Sequence, residues 1–412
     1  MPGVCMKIAL HWKIFICLCF GCITGILSRM LHVEHTVSEV LSVIGTLFIR
    51  ALKMLIIPLV MSSIIASVAR IGSGKRFSLL AVKTFTYYIM TSLCAILTGL
   101  ALAHALRPGV GADLGLQVHP ADIPAASRSI TDVVIGVLPD NLFAALSSGD
   151  MLPIILFSLL FGFFSARVPQ PYAGQLGSFF QGVFEVMMRI THIVMRCAPL
   201  GVFALVGDIT ARSGIAVFMP LGKYMLTVLS GLILHGVVVL PLLLMLLGRI
   251  HPLAHFQAVS GALMTAFSTA SSAATLPLTF EEMEKNTDVP SRISGFVLPL
   301  GATINMDGTA LYECVAALFI AQVYGIQLGI TREIVVVITA LLASIGAAAV
   351  PMAGLVMLVV VLRAVGLPLE GVGMILAVDR LLDMTRTAVN VWSDTCAAAI
   401  VAKSEEGSTG TG

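Results

Sequence analysis

Long apolar runs separated by short polar breaks govern this chain. Runs at 8–29, 37–69, 78–106, 131–166, 182–212 and 216–248 each exceed the about 20 residues that carry an α-helix across a bilayer. The first follows Lys7 and Lys13, but its apolar stretch from Ile14 to Leu27 lacks the small-x-small site of a cleaved signal peptide and reads as a first span. Lys7, Lys13, Arg70, Lys75 and Arg76 flank the first two runs on one side, so the positive-inside rule expects a cytoplasmic N-terminus and second loop. The aperiodic stretch from Arg107 to Arg128, rich in proline and glycine, is then expected outside.

Beyond residue 250 the pattern changes. The run from Phe256 to Thr279 breaks at Ser268–Pro277, and a later one breaks at Leu341–Gly354, both small-residue stretches bearing a proline. Arms of about 15 residues reach only about 22 Å into a core of about 30 Å. Both stretches therefore read as re-entrant hairpins, against ordinary spans packed through small residues. Between them, Gly301–Glu313 places Asn305, Asp307 and Thr309 around Gly308 in an apolar context. A helix broken there would set bare carbonyls beside a carboxylate, hard oxygen ligation that suits an alkali cation; a hydrogen-bonded kink is the plainer alternative.

The last apolar run, Gly373–Ala402, carries the sequence DRLLDMTRTAVNVWSD from Asp379 to Asp394. Asp383, Arg386, Thr387, Asn390 and Asp394 fall at offsets 0, 3, 4, 7 and 11, which at about 100° per residue puts them on one helical face. An ionised side chain at mid-membrane costs about 2.5–3.5 kcal/mol, so this seam must face protein or a water cavity. It is either a pair that pins neighbouring helices or a site for a small zwitterion. A guanidinium grips a carboxylate in two-pronged fashion, and an aspartate opposite it suits an amine.

Composition narrows the class. Of 412 residues, 58% are hydrophobic and 11% charged, and mean hydropathy is +1.01, which describes an all-α polytopic membrane protein. A net charge of +2 gives no reason to expect nucleic acid as a partner. The eight cysteines fall mostly inside apolar segments, which argues against a disulfide framework. Cys17, Cys19 and Cys22 do not converge on one helix face as metal ligands would.

Taken together, SSAATLP, NMDGT and DxxRTxxNVxxD, with KMLIIP at 53–58, TYYIMTS at 86–92 and APLGVFAL at 198–205, resemble the dicarboxylate/amino acid:cation symporter family, which includes the glutamate transporters. The resemblance implies eight transmembrane helices plus two re-entrant hairpins arranged as inverted repeats, a homotrimer in the cell membrane with cytoplasmic termini, and an elevator motion. It implies scaffold spans at 1–77 and, with the external loop, at 107–212. The moving part would comprise 78–106, 213–251, a first hairpin at 252–289, a broken span at 290–325, a second hairpin at 330–370 and the substrate helix at 371–403, before a tail at 404–412. Carried over residue by residue, Asp383 would take a substrate ammonium and Arg386 its side-chain carboxylate. Thr387 and Asn390 would hold the remaining polar groups, with Ser271, Ser272, Met306, Thr309, Val350 and Gly354 completing the pocket. Sodium would be held by Asp394 and Asn390 with Gly301 and Asn305; by Asp307 and Asn305 with Tyr88, Thr91 and Ser92; and by carbonyls of Thr303, Ser344, Ile345 and Ala347.

Departures from the family pattern matter. Ala270 and Met384 stand where relatives often carry an arginine, Ser393 replaces a glycine, and Ala349 and Met352 replace others. Glu313 stands where proton-coupled members place a glutamate; buried without that arginine it favours its neutral form, as a proton carrier or as a protonated structural acid. The cargo expected is L-aspartate or L-glutamate, with sodium, or protons, as the coupling ion. A C4-dicarboxylate would meet Asp383 as a like charge, and a neutral amino acid would leave Arg386 unpaired. An intramembrane serine hydrolase built on Ser271 and Ser272 lacks a GxSxG elbow, and nothing in the sequence ties His192 or His235 to those serines. A channel fits a charge-paired site less well than a carrier that closes over its cargo.

Overall fold

The computed structural model describes residues 10–69, 75–112, 135, 138–148, 151–214, 218–346 and 353–409, and among these the regular structure is entirely helical. That is what a bilayer dictates, because a helix satisfies its own backbone hydrogen bonds where water is absent. Three helical stretches are long and apolar enough to cross a membrane among the described residues: Leu80–Leu106, Phe218–Gly248 and Ser291–Val323.

One group of helices comprises α1 (Leu10–Met30), α2 (Glu34–Ala69), α5 (Met151–Ser165), α6 (Tyr172–Arg196) and α7 (Ala198–Ser213), with α2 packed on α5, α6 and α7. Residues 138–141 are not helical and the short α4 (Leu142–Ser148) begins only after them, so the expected run at 131–166 is not one continuous helix among the described residues. The run at 182–212 is likewise divided: α6 and α7 meet at a 53° bend where Pro199 enters at the start of α7.

Glycine lets α1 sit directly on α7. A Cβ at Gly21 would stand 2.6 Å from the Phe203 carbonyl oxygen, and one at Gly25 would stand 2.6 Å from Thr210 Cβ and 2.8 Å from the Ala211 nitrogen. Small residues four apart allow backbones to approach where no hydrophobic driving force separates helix from lipid.

The second group is α3 (Lys75–Leu106), α8 (Phe218–Leu234) with its continuation α9 (Leu240–Gly248), and everything that follows. Between α8 and α9 the chain takes one π turn, His235–Val239. Next come α10 (Pro252–Ala258), α11 (Ser260–Thr269) and α12 (Ser272–Asn286), the last two packed together across a break at Ala270 and Ser271. Ala270 is left-handed at φ 51°, and Ser271 caps α12, its hydroxyl accepting the Ala274 N–H at 3.2 Å.

The break predicted at Gly301–Glu313 is present. α13 (Ser291–Ile304) stops at Asn305, and α14 (Asp307–Val323) starts two residues later. Apart from Gln322, every residue of α14 is buried, so this apolar helix is the axis of the second group. Around it lie α15 (Ile330–Gly346), α16 (Ala353–Ala364) and α17 (Gly371–Thr409). The tip between α15 and α16, including Val350 and Ala347 of the expected site and the glycine replacements Ala349 and Met352, lies outside the described residues.

Replacing Gly25 with valine should overpack the α1–α7 contact and destabilise the purified protein by about 1–3 kcal/mol, seen as a lower thermal midpoint in detergent. Gly177→Ala is the control, since nothing lies within 4 Å of its added Cβ. Equal shifts for both variants would contradict this seating.

Candidate functional site

The seam on α17 is buried throughout: Asp379, Asp383, Arg386, Thr387, Asn390, Ser393 and Asp394 are each no more than 5% exposed. Arg386 is held by its own helix, donating from one guanidinium nitrogen to Asp383 Oδ1 at 2.6 Å, with the other 3.7 Å from Asp379. The Tyr312 ring of α14 lies 4.2 Å from the guanidinium carbon, a cation–π contact strengthened by desolvation. Arg380 approaches the second oxygen of Asp383 at 3.8 Å. Thr387 donates its hydroxyl to the Asp383 carbonyl at 2.7 Å, a bond within its own helix.

Two glycines shape the space beside Arg386. At Gly354, near the start of α16, a Cβ would stand 2.5 Å from a guanidinium nitrogen. At Gly308 it would stand 2.8 Å from the Arg386 carbonyl oxygen and 3.1 Å from Asn390 Oδ1. That approach lets the Gly308 N–H donate to Asn390 Oδ1 at 2.8 Å while the Asn390 amide donates to the Thr309 hydroxyl at 3.3 Å. Met306 and Ser272 are buried at the two breaks, and α12, α14 and α16 all pack on α17.

On the other side of the α13–α14 break a second polar group assembles. The Asn305 amide donates to Asp394 Oδ1 at 2.9 Å and to the Ser393 hydroxyl at 3.0 Å, and Thr91 of α3 donates to Asn305 Oδ1 at 3.4 Å. Asp307 accepts from the hydroxyls of Ser92 at 2.7 Å and Ser393 at 2.6 Å. As the first residue of α14 it also sits where the helix dipole favours negative charge. Tyr88 donates to the Val297 carbonyl at 2.7 Å, beside Gly301, where a Cβ would collide with Asp394. Thr303 of α13 and Ser344 and Ile345 of α15 lie on two helices that pack together, with the Ser344 hydroxyl turned to Leu341 of its own helix.

Residues 10–404 match the Sodium:dicarboxylate symporter family. The chain belongs to that family. It is 36% identical over 415 residues to the Proton/glutamate-aspartate symporter of Escherichia coli (strain K12), covering 97% of this chain and 94% of that protein. It is 37% identical over 407 residues to the Proton/sodium-glutamate symport protein of Geobacillus stearothermophilus, covering 97% and 95%. To the human Excitatory amino acid transporter 3 it is 37% identical over 441 residues, covering 93% of this chain and 83% of that protein.

Within this member of the family, sequence reasoning missed three participants. His235, on the π turn, is fully buried with Nε2 3.2 Å from Asp307 Oδ2; a lone histidine in an apolar run was the available sign. Ser393, read as a stiffened glycine position, instead bonds both Asn305 and Asp307. Asp379, which was not counted in the seam, lies four residues before Asp383, a helical spacing that would have added it.

Arg386→Ala should leave Asp379 without its cation and Asp383 with only the more distant Arg380, lowering the ligand-free protein's stability by about 3–5 kcal/mol. Adding Asp379→Asn to that variant should recover part of the loss in thermal unfolding. A double variant no more stable than Arg386→Ala alone would remove Asp379 from the pair.

Proposed function

We propose that this chain is a secondary transporter that couples acidic amino acid symport to a cation gradient, with L-aspartate or L-glutamate as cargo. The observation that carries the reading is the split between two kinds of buried carboxylate. Asp383 and Asp379 share Arg386, whereas Asp307 and Asp394 have no lysine or arginine at ion-pair distance among the described residues and are surrounded by neutral oxygen and amide groups, with His235 beside Asp307. Buried charges are retained where they are paired or bind metal ions. The first kind suits a zwitterion and the second suits cations.

The internal pair explains the preference for an amino acid. An incoming acidic amino acid replaces Asp383 at Arg386 with its side-chain carboxylate and replaces Arg386 at Asp383 with its ammonium, so both buried charges stay paired. A plain dicarboxylate would strand Asp383, and a neutral amino acid would strand Arg386. Asn390, Thr387, Thr309, Met306, Ser271 and Ser272 complete the pocket, with Val350 and Gly354 closing it. Sodium is assigned to Asp394 with Asn390, Asn305 and Gly301, to Asp307 with Asn305, Tyr88, Thr91 and Ser92, and to carbonyls of Thr303, Ser344, Ile345 and Ala347.

This assignment comes with eight spans and two re-entrant hairpins, a homotrimer, cytoplasmic termini and an elevator motion of the second helix group against the first. The scaffold is 1–77 and 107–212, and the moving domain is 78–106 and 213–403. The names of the Escherichia coli and Geobacillus relatives support the cargo and leave the ion as proton or sodium. Proton coupling has its own support in Glu313, fully buried with neither carboxyl oxygen hydrogen-bonded among the described residues. A hydrolase reading has less support, since His235 is engaged with Asp307 rather than with Ser271 or Ser272.

The test is uptake of labelled L-aspartate into liposomes under an inward sodium gradient and, separately, under a proton gradient alone. Sodium-driven accumulation that falls to background in Asp394→Asn and Arg386→Ala is the expected result. Accumulation driven by protons alone would replace the sodium assignment, and Glu313→Gln should then abolish it. Accumulation under neither gradient would refute the symport reading.

A further inference from the structure

The back of the substrate helix borders a groove of about 770 Å³ that no part of the proposed transport cycle uses. Its floor is Thr385, Ala388, Val389 and Trp392 of α17, on the face opposite Asp383 and Arg386; its walls come from α8–α9 and from α10–α11. We propose that this groove binds one acyl chain of a membrane phospholipid whose phosphate is held by Arg249 at its mouth.

The groove can take only hydrocarbon. Its hydroxyls are turned back into their own helices: Ser260 donates to the Gln257 carbonyl at 3.0 Å, Ser268 to Met264 at 2.8 Å and Thr385 to Leu381 at 3.0 Å. The Trp392 indole N–H is likewise taken, donating to the Gly236 carbonyl at 3.0 Å. No polar ligand would find a free donor on these walls. Along α8–α9 the lining runs from Leu232 to Pro241, about 14 Å of helix, close to half of a hydrocarbon core about 30 Å thick.

The mouth supplies the charge. α9 ends at Gly248, and exposed Arg249 follows in the left-handed conformation at φ 52°, with exposed His251 next to the lining residue Pro252. Of the acids of α12, Glu282 accepts the Ala262 N–H at 2.8 Å and Glu281 pairs with Lys285 at 2.6 Å. An anionic phosphate above an apolar chain complements this cation above an apolar groove. Trp392 touches the groove and precedes Ser393, which bonds Asp307, so a bound chain packs directly behind the cation-binding side of the site.

Trp392 is the natural reporter, because the chain has only one other tryptophan, Trp12. The experiment uses Trp12→Phe protein in nanodiscs containing increasing fractions of phosphatidylglycerol brominated at mid-chain. Trp392 fluorescence should show a saturable quenching component complete at low mole fraction. Arg249→Gln should shift that component to higher mole fraction, and groove-filling Ala388→Phe should remove it. Brominated diacylglycerol, with the same chains and no phosphate, should quench only in proportion to its mole fraction. Proportional quenching by phosphatidylglycerol in the parent protein would mean annular lipid only and overturn the proposal. So would a saturable component indifferent to Arg249→Gln, or one reproduced by diacylglycerol.

Discussion

A guanidinium buried at membrane depth must be paired, and the second helix group is built around that requirement at Arg386. Its charge is met within its own helix by Asp383 and Asp379 and across it by the face of Tyr312. Such a pair gains little over well-packed apolar groups, because desolvating two ions offsets their attraction. It is therefore better understood as a charge arrangement held ready for exchange than as a stabilising brace. A ligand that brings both a carboxylate and an ammonium can separate the pair without leaving either charge bare.

The same constraint shapes the backbone around it. Two polar groups reach α17 from the break between α13 and α14: Gly308, in the first turn of α14, brings a backbone N–H that has no helical acceptor to Asn390, and Asn305, in the break, brings a side chain to Asp394. Gly301 and Gly354 serve the same end by having no Cβ, one against Asp394 and the other against Arg386. Irregular backbone survives in a membrane only inside protein, which is why α14 is buried along nearly its whole length.

What the sequence made legible was whatever followed a period or violated hydropathy. The seam on α17 stood out because charges recurred at helical spacing in an apolar run, and the NMDGT and Ser268–Pro277 breaks because small and polar residues interrupted spans. Contacts between distant elements were not legible. Nothing near His235 announces Asp307, 72 residues on, and Ser393 looked like a backbone substitution because its hydroxyl's partners come from another helix. The divisions of the expected fourth and fifth runs were passed over because averaging hydropathy over a whole run hides short breaks such as Leu138–Asn141 and the proline at Pro199. Hydropathy reports burial in lipid, and it is silent about where a helix turns.

The π turn in α8–α9 shows how much a single backbone irregularity can carry. The Leu240 N–H bonds the His235 carbonyl, one residue farther back than in an α-helix, and Pro241 has no N–H to offer the next carbonyl, Gly236. That orphaned acceptor is satisfied from outside, by the indole of Trp392. The result is a tie between α8–α9 and α17, and it leaves the two neighbours on opposite duties: His235 faces inward to Asp307, while Gly236 faces the groove at the membrane side. An α-helical continuation would have satisfied Gly236 internally and removed the reason for Trp392 to bond there. A proline placed six residues after a buried histidine thus fixes both the second polar group of the site and the floor of the groove behind it.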